Sequence, residues 1–224
     1  MTAARETYTP ALGHAALTPV YDAAIALMTR ESVWRRAFLE QIAPAAGDVI
    51  LDVGCGTGTL ALLIKQAAPD ATVIGLDPDA AILDRARDKS RRAAAEVDFE
   101  QGFASDAARL ADRKPNKIVS SLVFHQVPLE EKRAGLAAIH AALQTGGALH
   151  VADYGLQRTR LMRALFRQIQ ILDGVQNTTP NAEGIMVRIM AEAGFAEVVE
   201  TSVIPTPTGS ISFYRAMRKA GGAQ

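Results

Sequence analysis

Ile50-Leu51-Asp52-Val53-Gly54-Cys55-Gly56-Thr57-Gly58-Thr59-Leu60 runs from an apolar, strand-like segment through three alternate glycines into a helical pattern. Glycines lack the Cβ that would block close approach of a ligand to the backbone, and a helix N-terminus leaves amide donors free for a polar or anionic group. The segment therefore reads as a buried strand, a ligand-hugging turn and a helix start. Asp77 ends the next apolar run, where an acidic side chain at a strand end can accept hydrogen bonds from both hydroxyls of a ribose. A nucleotide-like ligand follows from the pair. The loop reads G-x-G-x-G rather than the G-x-G-x-x-G that admits a pyrophosphate. Asp52, just before the turn, would repel a pyrophosphate but suits the ammonium of an amino-acid moiety. The expected ligand is adenosine carrying an amino acid.

Beyond this stretch, strand-like and helix-like segments alternate. Asp48 to Val53, Thr72 to Leu76, Val97 to Glu100, Lys117 to Leu122 and Ala148 to Asp153 read as strands, with helices over Asp79 to Lys89 and Leu129 to Leu143. Such alternation predicts a mostly parallel sheet covered by helices. Beyond it, Leu161, Leu165, Ile169 and Leu172 mark one face of an amphipathic helix. A second helix is expected from near Pro180 to a stop at Gly194. Glu197 to Ile204 and Ser210 to Tyr214, separated by Pro205, Pro207 and Gly209, suggest an antiparallel pair at a sheet edge. On the N-terminal side, Trp34, Phe38 and Ile42 share a helix face. Thr18-Pro19 looks like a helix start followed by Tyr21, Ile25 and Met28, and the segment before it reads as an arm. Tyr21 and Trp34 could line a lid, although aromatic residues at this spacing more often serve the core.

Composition narrows the function classes. The 224 residues carry 24 lysines and arginines against 24 acids, so no net positive field exists to collect nucleic-acid phosphates. A polynucleotide partner is disfavoured. The single cysteine, Cys55, supports neither a disulfide nor a metal cluster, and no metal site is expected. No window approaches the roughly 20 apolar residues a spanning helix needs. With no recognisable secretion signal at the start, the expected location is the cytoplasm. A homodimer is left open.

The Ile50 to Leu60 stretch resembles the first motif of class I S-adenosylmethionine-dependent methyltransferases, and Val73-Ile74-Gly75-Leu76-Asp77-Pro78 resembles the second. Gln101-Gly102-Phe103-Ala104 stands where that family flanks adenine, with Phe103 in place of the aspartate that many members carry. Ile118 to Pro128, including Ser121, Leu122 and His125, is similar to the fourth motif, and Leu143 to Gly147 to the turn before the fifth strand. Glu192-Ala193-Gly194-Phe195 and Gly209 to Tyr214 are similar to the ending of small-molecule members, including quinone-pathway methyltransferases.

The resemblance implies a Rossmann-like α/β sandwich of seven strands, mostly parallel, with an antiparallel edge pair. It divides one methyltransferase domain into an N-terminal helical cover (1–46), a cofactor-binding core (47–155), acceptor-side helices (156–195) and a strand pair (196–217). It implies S-adenosylmethionine as cofactor, bound by Asp52, Gly54, Cys55, Gly56, Gly58, Asp77, Pro78, Phe103, Ala104, Ser121 and Leu122, and a small-molecule methyl acceptor. His125 is the candidate catalytic residue, as a base near the open end of the sheet; the alternative is a histidine that packs or caps. Asp153 and Tyr154 could orient an acceptor, and Leu161, Leu165 and Phe166 are expected near its pocket. Cys55 reads as structural, His150 as core, and His14 and His140 as peripheral. An NAD-dependent oxidoreductase and a catalytically silent S-adenosylmethionine-binding module stay open beside the methyltransferase.

Overall fold

A computed structural model describes residues 30–219 of the chain. The expectations for the arm, for Thr18-Pro19, Tyr21, Ile25 and Met28 and for His14 lie outside the described residues.

Seven strands form one sheet: β1 (Val49–Val53), β2 (Thr72–Asp77), β3 (Asp98–Gln101), β4 (Lys117–Ser121), β5 (Ala148–Tyr154), β6 (Ala196–Thr206) and β7 (Gly209–Met217), in the spatial order β3-β2-β1-β4-β5-β7-β6. The first five strands pair in parallel, and β7 runs antiparallel between β5 and β6, as the alternation and the closing hairpin predict. The order reverses between β1 and β4, the switch point at which open α/β sheets leave a crevice beyond the strand ends.

The helices are α1 (Glu31–Ile42), α2 (Thr59–Ala67), α3 (Ala80–Arg92), α4 (Leu129–Ala142), α5 (Arg160–Asp173), α6 (Val175–Ala182) and α7 (Met186–Glu192). A 3-10 segment, Ala104–Arg113, fills a stretch to which the sequence reading assigned no element. Its Ala107 and Leu110 pack beside Leu136 and Ile139 of α4 on one face of the sheet. The other face packs Ile50, Val73, Val119 and Ala152 against α1, α2 and α5. Alternate residues of β1 thus serve two cores, Ile50 one and Leu51 the other. Trp34, Phe38 and Ile42 recur every four residues on α1 and are buried, with Phe38 tilted against Phe213 at 5.2 Å, so Trp34 is a core residue.

Two helical expectations are corrected. The helix expected from Pro180 to Gly194 is two helices: α6 contains Pro180 within it, and Gly184 (φ 84°) turns the chain before α7. Pro180 is the sixth of the eight residues of α6; lacking a backbone donor it removes a helical hydrogen bond there, and the helix ends two residues later. On α5 the buried residues are Phe166 and Ile169, whereas Leu161 and Leu172 face outward. The helix is rotated away from the expected stripe because Phe166 has the larger ring to bury, against Tyr154 at 5.1 Å. Leu161 is accordingly not at the inner wall.

His150 is buried in β5 as expected. His140 packs its ring on Phe195 at 4.9 Å and is half-buried. Among the described residues, no helix is long and apolar enough to cross a membrane, and no cluster of acids, histidines and cysteine is arranged to hold a metal ion.

Candidate functional site

The C-terminal ends of β1, β2, β4 and β5 converge at the switch point. After β1 the chain turns sharply against β2: the amides of Gly54 and Cys55 both donate to the Leu76 carbonyl, at 2.7 and 3.1 Å. Gly54 adopts φ 72°, and a Cβ there would lie 2.2 Å from a methyl of Val123, so no other residue fits. Gly56 and Gly58 also have positive φ, and α2 starts directly after Gly58. The Cys55 thiol is buried against Gly75, where a Cβ would come within 2.8 Å of its sulfur. Burial, with Asp52 and Asp77 nearby, pushes that thiol up and keeps it protonated. Cys55 is a small packing residue here and no nucleophile.

Asp77 is buried at the end of β2 and accepts from the Gly56 amide (2.9 Å) and the Asp79 amide (3.0 Å). It thereby ties the glycine loop to the second strand. Burial raises its pKa against those two amides, which hold it down. Asp79 caps α3 through the amides of Ala81 and Ile82.

Asp52 is the exception in this otherwise satisfied loop. It is fully buried, and neither carboxylate oxygen has a hydrogen-bond partner. Burial lifts its pKa to about 7; the Arg35 guanidinium opposes the rise, Asp77 adds to it, and the nearby Ala61 amide, which does not reach hydrogen-bond geometry, opposes it further. A buried carboxylate without donors costs free energy, and such a group is retained where something else supplies the donors. The chemistry complementary to it is a cation with several hydrogens, as on an amino acid's ammonium. Arg35 of α1 lies at the same edge: its guanidinium packs over the Trp34 ring at 4.5 Å, bonds Glu31, and reaches the Ser121 hydroxyl at 3.5 Å. Ser121 ends β4 and Leu122 follows it, both half-buried, and the Leu122 amide donates to the Ala152 carbonyl. Pro78, Phe103 and Ala104, also half-buried, flank the ends of β2 and β3.

The second half of the site centres on His125, in the 3-10 turn Phe124–Gln126 after β4. His125 is buried. Its Nδ1 lies 2.6 Å from Asp153 of β5 and its Nε2 lies 3.2 Å from Asp173 at the end of α5. Carboxylates only accept, so with one at each nitrogen the ring carries both hydrogens. Burial alone would lower the His125 pKa; the charge and hydrogen bond of Asp153, then those of Asp173, overcome it and raise the value to about 9. Asp153 is fully buried and also accepts from the amides of Phe124 (2.6 Å), His125 (3.2 Å) and Tyr154 (2.7 Å). Tyr154 packs edge-on to His125 at 5.0 Å and shares a hydrogen bond with Thr208.

Lys132 completes the arrangement from α4. Its ammonium, fully buried, donates to the carbonyls of Phe124, Val127 (2.8 Å) and Asn177 (2.9 Å), and Asn177 donates back to Gln126 at 3.1 Å. The histidine-bearing turn is thus clamped between α4 and α6. Burial brings the Lys132 pKa down to about 8, against the pull of Asp153.

Of the residues singled out from sequence, the structure places Asp52, the glycine loop, Cys55 and Asp77 together, with Ser121 and Leu122 beside them. Asp153 and Tyr154 stand against His125. Lys132, Asp173, Asn177 and Arg35 went unnoticed. Lys132 sits in Glu130-Glu131-Lys132-Arg133, which reads as a solvated run. The one available signal was Asp173, the sole acid between Arg158 and Ala182.

Known proteins similar to this chain include methyltransferases. Residues 50–147 match a family described as a methyltransferase domain. A demethylmenaquinone methyltransferase of Deinococcus radiodurans is 28% identical over 155 residues, covering 68% of this chain and 63% of the relative. One of Thermus thermophilus is 31% identical over 140 residues, covering 62% of each. The chain thus spans a little under two thirds of those relatives. Among solved structures, the magnesium protoporphyrin IX methyltransferase of Synechocystis, with bound S-adenosylhomocysteine, superposes with a TM-score of 0.60 at 20% identity over 83% of each chain. An O-methyltransferase family protein of Burkholderia thailandensis does so with a TM-score of 0.67 at 19% identity, over 89% of this chain and 60% of the other.

Proposed function

We propose that this chain, a member of the class I S-adenosylmethionine-dependent methyltransferases by its first two motifs, its sheet order and the match over residues 50–147, transfers a methyl group to a small-molecule acceptor. The observation that carries the reading is Asp52, a fully buried carboxylate with both oxygens unpartnered beside a glycine turn. The donor's ammonium would supply the missing hydrogens, Asp77 would meet the ribose hydroxyls, and Phe103 and Ala104 would flank the adenine. Bound S-adenosylmethionine supplies a methyl group on a sulfonium, ready for in-line displacement.

The chain's own task is then to align the acceptor, exclude water and take up a proton where the acceptor has one to lose. His125 is the group placed for that last step, with Asp153 fixing its Nδ1 hydrogen and leaving Nε2 for the acceptor. Its free-base form is favoured when the Asp173 contact gives way, because one of the two carboxylates that hold the proton is then removed. The relatives named above act on a demethylmenaquinone, and this supports placing quinol-like ring carbons and phenols first among acceptors to be tried.

An NAD-dependent reading is disfavoured by Asp52, since a pyrophosphate there would meet a buried carboxylate whose oxygens have no hydrogen-bond partner. Calorimetric titration with S-adenosylmethionine, S-adenosylhomocysteine and NAD tests the assignment. Micromolar affinity for the first two and none for NAD is expected; binding of NAD alone would overturn it. Binding without turnover on any acceptor would point to a silent module.

A further inference from the structure

The outward side of α5 and the start of α6 carry large apolar side chains in solvent: Leu161 is 68% exposed, Ile171 82%, Leu172 58% and Val175 61%. Leu161 and Leu172, eleven residues apart, stand on one stripe of α5; Ile171 stands one turn after Arg167 on the arginine side, and Val175 is exposed at the start of α6. Along its border Arg160, Arg163 and Arg167, spaced three and four apart, form a parallel exposed stripe. Between Arg158 and Ala182 the chain holds four arginines and one acid, and that acid, Asp173, is turned inward onto His125. A protein with no net charge has therefore concentrated positive charge around exposed aliphatic groups on one helix. Isolated exposed leucines need no explanation, but an apolar stripe flanked by arginines and free of carboxylates does.

The geometry points to the outer face of α5 and the start of α6 as a docking surface for an anionic lipid bilayer. Aliphatic side chains at this depth suit the acyl boundary, while the flanking guanidinium groups meet phosphates. A second copy of the chain, paired through this same face, is a poorer partner: among the described residues α5 and α6 turn no acid outward to meet the arginines, since Asp173 is turned onto His125. The inner face of the same helix carries Phe166 and Asp173, which touch Tyr154 and His125. Docking would hold the wall of the candidate acceptor site next to the membrane and favour acceptors that dissolve in it. The inference stands on the surface alone and is tested without turnover.

The test is co-sedimentation of the full chain with vesicles of phosphatidylglycerol mixed into phosphatidylcholine, and with phosphatidylcholine alone. Binding to the anionic vesicles only, released at about 0.5 M salt, is expected. The double variant Arg160→Gln/Arg167→Gln should lower the partition coefficient about 25-fold, at about fivefold per arginine. Arg163 is left in place because it donates to the Gln157 carbonyl. Ile171→Ser/Leu172→Ser should lower it by about tenfold or more. Both pairs are exposed, so melting temperatures should stay within about 2 °C of the parent. Four results would overturn the proposal: no binding to either vesicle, equal binding to both, binding that neither variant weakens, or a dimer in sedimentation equilibrium that Ile171→Ser/Leu172→Ser dissociates.

Discussion

Replacing Asp52 with asparagine should make the ligand-free protein more stable while weakening its hold on the methyl donor. The Asp52 carboxyl has its pKa raised from 3.8 to about 7 by burial. A carboxylate that is harder to ionise in the folded state destabilises that state once the unfolded chain ionises. The penalty is absent below pH 3.8, grows as pH rises, and is complete above about 7. A shift of about three units corresponds to about 4 kcal/mol. Asparagine cannot ionise and removes that cost, but its amide would have no partner, at about 1 to 3 kcal/mol. The expected net gain at pH 8 is about 1 to 3 kcal/mol, or about 3 to 10 °C in melting temperature for a chain of this size. Losing a charged acceptor for the donor's ammonium should weaken binding by about 10- to 100-fold. Thermal denaturation at pH 8 without ligand, paired with calorimetry of S-adenosylhomocysteine, reads both quantities. A variant that melts lower than the parent yet binds the ligand equally well would refute the argument that Asp52 is held unpartnered for a ligand.

Four other outcomes follow from the same contacts. Asp77→Ala removes the acceptor of the Gly56 and Asp79 amides along with the expected ribose contact, so calorimetry should show donor affinity reduced by about 100-fold or more in a protein that still folds. His125→Gln should lower kcat by about 10²- to 10⁴-fold with donor affinity unchanged, once an acceptor is in hand; an unchanged kcat would remove His125 from the chemistry. Because the His125 pKa is raised to about 9, its stabilising contribution is complete below about pH 6.5 and is lost as pH climbs through 9. The melting temperature of the parent should therefore fall toward that of His125→Gln across this window. Lys132→Met strips the donor from three carbonyls and should cost about 3 kcal/mol or more, read as a lower melting temperature and faster proteolysis near residues 124–127.

Much of the molecule was legible in one dimension because it is written locally. Val49 to Val53 and Thr72 to Asp77 are short apolar runs that end in glycine or an acid, and a strand buried on both faces can be little else. The glycine loop and its two acids were readable for the same reason: Gly54, Gly56 and Gly58 are demanded by the turn itself, and Asp52 and Asp77 stand at fixed offsets from strand ends. The parallel sheet and its antiparallel edge follow from the order of those segments.

What sequence could not decide depends on which groups meet across long separations. Asp153 is 28 residues from His125 and Asp173 lies in another helix, yet their placement turns a lone histidine into one held by two carboxylates. Lys132 looks like a surface lysine beside Glu130, Glu131 and Arg133 until the fold brings the carbonyls of Phe124 and Val127, from the turn after β4, and of Asn177, from α6, around its ammonium. The rotation of α5, which buried Phe166 and left Leu161 and Leu172 outside, was settled by the fit of one ring against Tyr154. Helical periodicity shows that a helix has an apolar side, but when apolar residues occur around most of its circumference only tertiary packing selects the side that is buried.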